Sequence, residues 1–177
     1  MSTEIEYEKT YLLKQIPDGI DKTKSVLIRD IYIPETADHA HLRLRQKDDK
    51  YVITKKHKAF GEDASMQYEH TIDLDKDEFM ALAICSVKDF VKRRYFVEYR
   101  GCQAEIDIYQ ERLSGLALAD FEFNNEKDKD EFETPDFALA DVTQDESIAG
   151  GFLAGKTYED IAPLIEKYGY KKLEIKL

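Results

Sequence analysis

The sequence contains few of the residues on which disulfide-rich proteins, zinc proteins and thiol enzymes depend. It has two cysteines, four histidines and no tryptophan in 177 residues. Cys85 and Cys102 do not form a CxxC motif, so we interpret them as free thiols. No HxxxH or HExxH spacing supports a zinc site, and Walker and serine-hydrolase motifs are also missing. Functional information must therefore come mainly from the charged residues and their distribution.

Long apolar runs and an excess of positive charge are missing as well. No segment approaches the roughly 20 apolar residues of a membrane helix, and the N-terminal MSTEIEYEKT lacks the features of a secretory signal. Thirty-seven acidic residues against 26 basic ones give a net charge of −11, which disfavours binding to nucleic acid or anionic membranes. We expect one cytoplasmic domain over residues 1–177, with neither nucleic acid nor membrane as a partner.

Alternation of apolar and polar residues with a period of two predicts a sheet. Short turn signals, such as Asp48-Asp49 and Arg100-Gly101, suit antiparallel hairpins. The predicted strands are Glu4 to Leu13, Ser25 to Ile33, His41 to Lys47, Tyr51 to Lys58, Met66 to Asp73, Val91 to Tyr99, Gln103 to Tyr109 and Leu116 to Asn124.

Capping patterns predict two helices. Asp75 with Glu78 three residues later starts the first, and a second runs from about Thr157 to Tyr168. Pro163 lies inside the second pattern and would be tolerated if this helix began one turn later. The acidic segment 124–136 is interpreted as a loop or a short surface helix.

Charged residues lie at alternate strand positions and therefore on one face of each strand. Arg43 with Arg45 makes one face purely basic, whereas Glu105 with Asp107 makes another purely acidic. A solvated outer face is the ordinary interpretation of such alternation. Like charges on one strand repel, however, so a surface usually mixes signs. Segregation of the two signs favours a charged ligand, and both interpretations stay open at this point.

Closure of the strands with the charged faces inward would demand an occupant. An uncompensated buried ion costs several kcal/mol, so a polyanion, cations and water would have to share the lumen. Arginine and lysine suit phosphate oxygens, and carboxylates suit Mg²⁺ or Mn²⁺. A polyphosphate with its metal ions would satisfy both kinds of strand.

A series of motifs then resembles a known family. EIEYEKTYLL, HLRLR, VITKK, VKRRY, AEIDIY, GLALADFEF and DVTQD, in this order from about Glu4 to Gly155, resemble the CYTH superfamily of triphosphate tunnel metalloenzymes. This resemblance implies an α+β fold built on a closed eight-stranded antiparallel β-barrel with flanking helices. It also implies metal-dependent hydrolysis of inorganic triphosphate or of a small organic triphosphate such as thiamine triphosphate.

Two other functions are compatible with this resemblance. A class IV-type adenylate cyclase would form cyclic AMP from ATP, and a non-catalytic barrel would only bind polyphosphate. A lipocalin-like carrier of apolar ligands would instead need apolar inward faces.

The resemblance also implies roles for individual residues. Substrate phosphates would be bound by Arg43, Arg45, Lys56, Lys92 and Arg94. Mg²⁺ or Mn²⁺ would be bound by carboxylates from Glu4, Glu6, Glu8, Glu69, Glu105, Asp107, Asp120 and Glu122. The catalytic set would be Glu6, Glu8, Lys56 and Arg94. For Glu69 a surface position is an equal alternative, and Glu105 and Asp107 could instead orient basic residues.

One residue departs from the ExExK signature of this family. Glu6 and Glu8 lead to Thr10, and Lys9 is offset by one residue, so strand parity directs Lys9 outward unless a bulge intervenes. Asp120 stands where Glu is usual, which shortens its reach by one methylene.

Inward charges would leave apolar faces outside the barrel. Helices can cover part of these faces, and a homodimer could cover the rest. We also expect Arg45→Ala to weaken triphosphate binding with little loss of stability.

Overall fold

The computed structural model describes residues 4–21 and 23–174, and for Glu4 the backbone only. Its strands are β1 (Glu4–Leu13), β2 (Ser25–Ile33), β3 (Leu42–Lys47), β4 (Lys50–Lys58), β5 (Met66–Leu74), β6 (Asp89–Tyr99), β7 (Cys102–Tyr109), β8 (Ala117–Phe123) and β9 (Ala138–Asp141). Its α-helices are α1 (Lys76–Ala83), α2 (Glu126–Glu131), α3 (Gly150–Leu153) and α4 (Tyr158–Ile165), and single 3₁₀ turns span Glu111–Leu113, Glu146–Ile148 and Glu166–Tyr168.

Eight of the strands form a closed antiparallel barrel. Their order is β5-β4-β3-β2-β6-β7-β8-β1, and β1 returns to pair with β5. The closing ladder joins Glu4–Tyr7 to Met66–Glu69. The predicted barrel is therefore confirmed, with strand ends within two residues of those expected.

The short strand β9 was not predicted. It pairs with Tyr11, Leu12 and Leu13 of β1, beyond the segment of β1 that β5 occupies. β9 has only four residues, ALAD, which is too short for a period of two to be recognised. Its pairing protects an edge of β1 that the barrel ladder leaves open.

The helices partly agree with the sequence prediction. Asp75 caps α1 through a capping box with Glu78, as predicted, and α2 lies within the acidic segment. The helix expected from about Thr157 to Tyr168 is observed as α4 and the 3₁₀ turn that follows it. α4 begins at Tyr158 and contains Pro163, so it does not start one turn later. Its Thr157–Asp160 capping box and the burial of Ile161 stabilise the first turn despite the N–H that proline lacks.

Apolar residues pack mainly on the outside of the barrel. Phe121 on the outer face of β8 is fully buried and contacts Tyr11, Phe132 and Phe137, which come from β1 and from the chain around β9. On the other side, Phe79 of α1 packs on the outer faces of β2 and β3. These covers leave the interior of the barrel to the charged side chains.

One end of the barrel is closed by the C-terminal part of the chain. Ile148, α3 and α4 pack against the apolar ends of several strands, including Leu12 and Tyr109. A Cβ on Gly151 would lie 2.0 Å from the carbonyl oxygen of Ala40, so only glycine allows α3 to approach this closely. None of the helices in the described residues is long and apolar enough to span a membrane.

Replacing Phe121 should test the outer packing. We expect Phe121→Ala to lower the free energy of unfolding by roughly 3–5 kcal/mol, because it empties a fully buried aromatic site. Phe60→Ala is the control, since Phe60 is 57% exposed and should cost little. Urea unfolding followed by circular dichroism would measure both, and equal losses would contradict this account of the core.

Candidate active site

A cavity of about 390 Å³ lies inside the barrel and is lined by the charged faces of its strands. A volume of this size suits a small ligand. Most of the predicted site residues meet there: Glu6, Glu8, Arg43, Arg45, Lys56, Glu69, Lys92, Arg94, Glu105, Asp120 and Glu122. The charged residues therefore form an inner lining rather than a solvated outer surface. Glu69 belongs to this lining, and the predicted role of the Glu4 side chain lies outside the described residues.

Asp107 holds two of the predicted phosphate-binding cations. It is fully buried behind the cavity, accepts hydrogen bonds from Arg94 Nε and Nη2 at 2.7 and 2.6 Å, and pairs with Lys92. Burial alone would raise the pKa of Asp107, but the charges of Arg94 and Lys92 hold it well below its usual range. Because both oxygens are engaged, we interpret Asp107 as a positioning residue rather than a metal ligand.

Glu105 and Asp120 extend the contacts of Arg94. Glu105 forms an ion pair with Arg94 Nη1, and Asp120 lies 3.3 Å from Nη2. The guanidinium is thus held by acids from β7 and β8. Burial by itself would lower the pKa of Arg94, but the pKa is raised because Asp107, with a smaller contribution from Asp120, outweighs burial.

Asp30, which the sequence analysis missed, positions Arg45 in the same way. The fully buried carboxylate accepts two hydrogen bonds of 2.7 Å from Arg45 Nε and Nη2. Burial would raise the pKa of Asp30, but Arg45 lowers it to about 2. Asp30 could have been found from strand parity, because it lies on the same face of β2 as Tyr32, which lines the cavity.

Arg43 is held much less tightly. Its Nη2 lies 4.0 Å from Glu69, and its buried Nε has no hydrogen-bond partner among the residues that the structure describes. A buried donor without a partner is costly, so it favours an anionic ligand nearby.

Lys56 lies between three carboxylates at the β1–β5 closure. Its Nζ bonds to Glu6 and lies 3.2 Å from Glu69 and 3.5 Å from Glu8. Burial disfavours the charged form, yet Glu8 and Glu6 raise the pKa of Lys56. The ammonium is therefore retained at neutral pH.

Glu8 and Asp120 bring two carboxylates close together. The Thr10 hydroxyl lies 2.8 Å from Asp120 Oδ1 and 3.3 Å from Glu8 Oε1, so it links the two carboxylates. Burial and the charges of Glu8 and Asp107 raise the pKa of Asp120 to about 6. This site would be stabilised by a cation.

The donor set fits a hard divalent cation. Three carboxylates line the same cavity: those of Glu8, Asp120 and Glu122. Glu122 pairs with Glu8 in the β1–β8 register. No group of three or more His, Cys, Asp or Glu side chains in the described ranges forms a ready metal site. Mg²⁺ commonly takes one or two carboxylates and completes its coordination with water and substrate phosphates.

Lys9 lies outside the tunnel, as strand parity predicted. Its Nζ donates to the Phe132 carbonyl at 3.3 Å, and it lines a separate open groove of about 860 Å³. Thr10 occupies the inward position instead. Much of the charge in this groove is internally paired, as Lys167 with Asp145 shows, so the tunnel remains the better candidate site.

This chain is similar in sequence and fold to known proteins. No protein-family model matches the chain. The inorganic triphosphatase of Nitrosomonas europaea is 30% identical over 151 residues, covering 84% of this chain and 96% of the relative. A crystal structure of an inorganic triphosphatase superposes with a TM-score of 0.61 at 27% identity, over 84% of this chain and 93% of the other.

A more distant structure shares the fold. A Bacillus halodurans protein considered a candidate adenylate cyclase superposes with a TM-score of 0.56 at 15% identity, over all of this chain and 96% of its own. The barrel, its charged lining and the relative from Nitrosomonas europaea together show that this chain belongs to the CYTH superfamily of triphosphate tunnel proteins.

Proposed function

We propose that this protein hydrolyses inorganic triphosphate, or a small organic triphosphate such as thiamine triphosphate, inside the barrel. The observation that carries the proposal is the meeting of Arg43, Arg45, Lys56, Lys92 and Arg94 in one cavity with a facing group of carboxylates. Similarity to an inorganic triphosphatase over most of both chains supports the same activity.

Phosphoryl transfer needs positioning and charge stabilisation more than covalent chemistry. Of its five guanidinium hydrogens Arg45 uses two on Asp30, so three can bind phosphate oxygens. Arg94 uses four on Asp107, Glu105 and Asp120, so one remains for phosphate. Lys56 adds a point charge near Glu6 and Glu8. Because carboxylates fix these cations before substrate binds, little reorganisation accompanies the reaction.

We propose Mg²⁺ or Mn²⁺ as the cofactor. Glu8, Asp120 and Glu122 would hold it, with Glu6 and Glu69 nearby. When bound, the ion would neutralise phosphate charge and lower the pKa of an attacking water. Thr10 keeps Glu8 and Asp120 facing each other.

The cytoplasmic location, the single-domain assignment and the homodimer stay predictions. Adenylate cyclase activity and binding without catalysis are treated as outcomes of the assay that follows.

Substrate hydrolysis provides the first test. The purified full chain should release phosphate from tripolyphosphate with Mg²⁺ or Mn²⁺ and lose this activity in EDTA. Thiamine triphosphate and ATP should be assayed in parallel, with cyclic AMP measured for ATP. Absence of turnover with all three compounds would reject hydrolysis. Cyclic AMP in place of free phosphate would identify the cyclase, and tight binding without turnover would identify the non-catalytic barrel.

Arg43→Gln and Arg45→Gln should separate binding from stability. Both should weaken tripolyphosphate binding by roughly tenfold, since each removes charge-assisted hydrogen bonds. Arg45→Gln should also lower the free energy of unfolding by about 3–5 kcal/mol because it leaves Asp30 buried and unpaired. The structure thus revises the expectation that changing Arg45 spares stability.

The binding and stability of Arg43→Gln and Arg45→Gln should be measured at pH 7–8. The pKa of Asp30 is lowered to about 2, so the stability from its pair with Arg45 is complete above its unfolded value near 4 and is lost as pH falls toward 2. Calorimetry and urea unfolding would measure binding and stability. Equal stability of the two variants would contradict the assigned difference.

Asp120→Asn should report on the metal without an activity assay. In EDTA at pH 8 this variant should unfold at a higher temperature than wild type, because repulsion between Asp120 and Glu8 is removed. Added Mn²⁺ should stabilise wild type and have a much smaller effect on Asp120→Asn. Asp136→Asn is the control, since Asp136 is exposed and outside the cavity. Equal Mn²⁺ responses of all three proteins would remove Asp120 from the metal site.

A further inference from the structure

Lys47 is a tunnel residue to which neither the motifs nor the proposed mechanism gives a role. It follows Arg43 and Arg45 at alternate positions of β3, so the three side chains share one face of the strand. All three line the same cavity. At about 3.3 Å per residue, this row of cations extends roughly 13 Å along the tunnel wall.

Lys47 differs from the other cations in its partners. Arg45, Lys56, Lys92 and Arg94 each have a carboxylate within ion-pair distance. In the described part of the chain, no carboxylate lies within 4.0 Å of the Lys47 ammonium, which is instead 5.8 Å from the centre of the Phe96 ring. Burial lowers the pKa of Lys47, and the nearby charges of Arg94 and Arg45 lower it further, with only partial compensation from Asp48.

Lys47 lies at one end of the cavity. β3 starts at Leu42, which is close to Ala40 and therefore to the end of the barrel that α3 closes. The strand finishes at Lys47. Lys47 pairs in register with Lys50 at the β3–β4 turn. The unpaired ammonium therefore lies at the opposite end of the cavity from α3, one step beyond Arg45.

We propose that Lys47 forms an outer phosphoryl subsite, which binds the end of a linear inorganic polyphosphate longer than triphosphate. This proposal rests on the proposed function and adds the chain length of the ligand to it. Arg43 and Arg45 contact the inner phosphoryl groups, and Lys47 contacts a group nearer the end of the cavity opposite α3. An ammonium without an internal partner gains a charge-assisted contact there without first breaking an ion pair.

Equilibrium binding of two chain lengths tests the subsite. Tripolyphosphate and tetrapolyphosphate would be titrated by calorimetry in EDTA into the full chain and into Lys47→Gln, Lys47→Arg and Lys55→Gln. We expect Lys47→Gln to weaken tetrapolyphosphate binding about tenfold and tripolyphosphate binding less than about threefold. Lys47→Arg should keep the wild-type preference. Lys55, which is exposed on β4 and does not line the cavity, gives a control with the same change in charge.

The outcomes separate this proposal from the proposed function. If Lys47→Gln weakens the binding of tripolyphosphate and tetrapolyphosphate equally, Lys47 acts only through the general electrostatic field of the tunnel. This result would overturn the subsite. Wild-type affinity of Lys47→Gln for tetrapolyphosphate would also overturn it, even if tripolyphosphate is hydrolysed. If wild type releases no phosphate yet shows the Lys47-dependent preference for tetrapolyphosphate, the hydrolysis proposal is rejected and the subsite proposal is retained. If wild type binds neither compound in EDTA, the subsite is overturned, and phosphate release with Mg²⁺ or Mn²⁺ decides the proposed function independently.

Discussion

The structure depends on ion pairs buried in the wall of the barrel. Asp30 and Asp107 are fully buried, and each holds cations that point into the cavity. Removal of one partner from such a pair leaves an uncompensated buried charge, which is strongly destabilising. The same pairs orient Arg45 and Arg94 toward a ligand, so the stability of the barrel and the geometry of the site are coupled. A variant that changes either arginine must therefore be judged for folding as well as for binding.

Internal pairing has a different strength at each cation. Asp107 accepts two hydrogen bonds from Arg94. Among the residues that the structure describes, Arg43 has a buried donor without a partner, and Lys47 has no carboxylate within 4.0 Å. A polyphosphate would contact Arg43 and Lys47 of β3, the cations whose charges are least balanced by carboxylates. Across the cavity, burial and the charge of Glu8 oppose the ionisation of Asp120. The site is thus arranged for a multiply charged anion that arrives with its own cations.

The barrel was predictable because one face of each strand is charged and the other apolar. A period of two is a local property, and strands such as Glu4–Leu13 and Ser25–Ile33 are long enough to display it. β9 has four residues and α3 has four, so neither contains a readable period. Pro163 lies inside α4, where the capping box and tertiary burial compensate for this local defect. Lys9 and Thr10 were assigned correctly to opposite faces, since no bulge interrupts the β1–β8 ladder between them.

The sequence alone determined which residues share a face and which charges occur together, because strand parity depends only on position along the chain. It also carried the motifs that resemble the CYTH superfamily. Tertiary structure decided which face is the interior and which acid pairs with which base. Asp30 is 15 residues from Arg45 in the sequence, and Glu6 is 50 residues from Lys56, yet they are ion-paired in the barrel. Such pairings depend on register and on closure between β1 and β5, which bring distant segments together and cannot be read from local patterns.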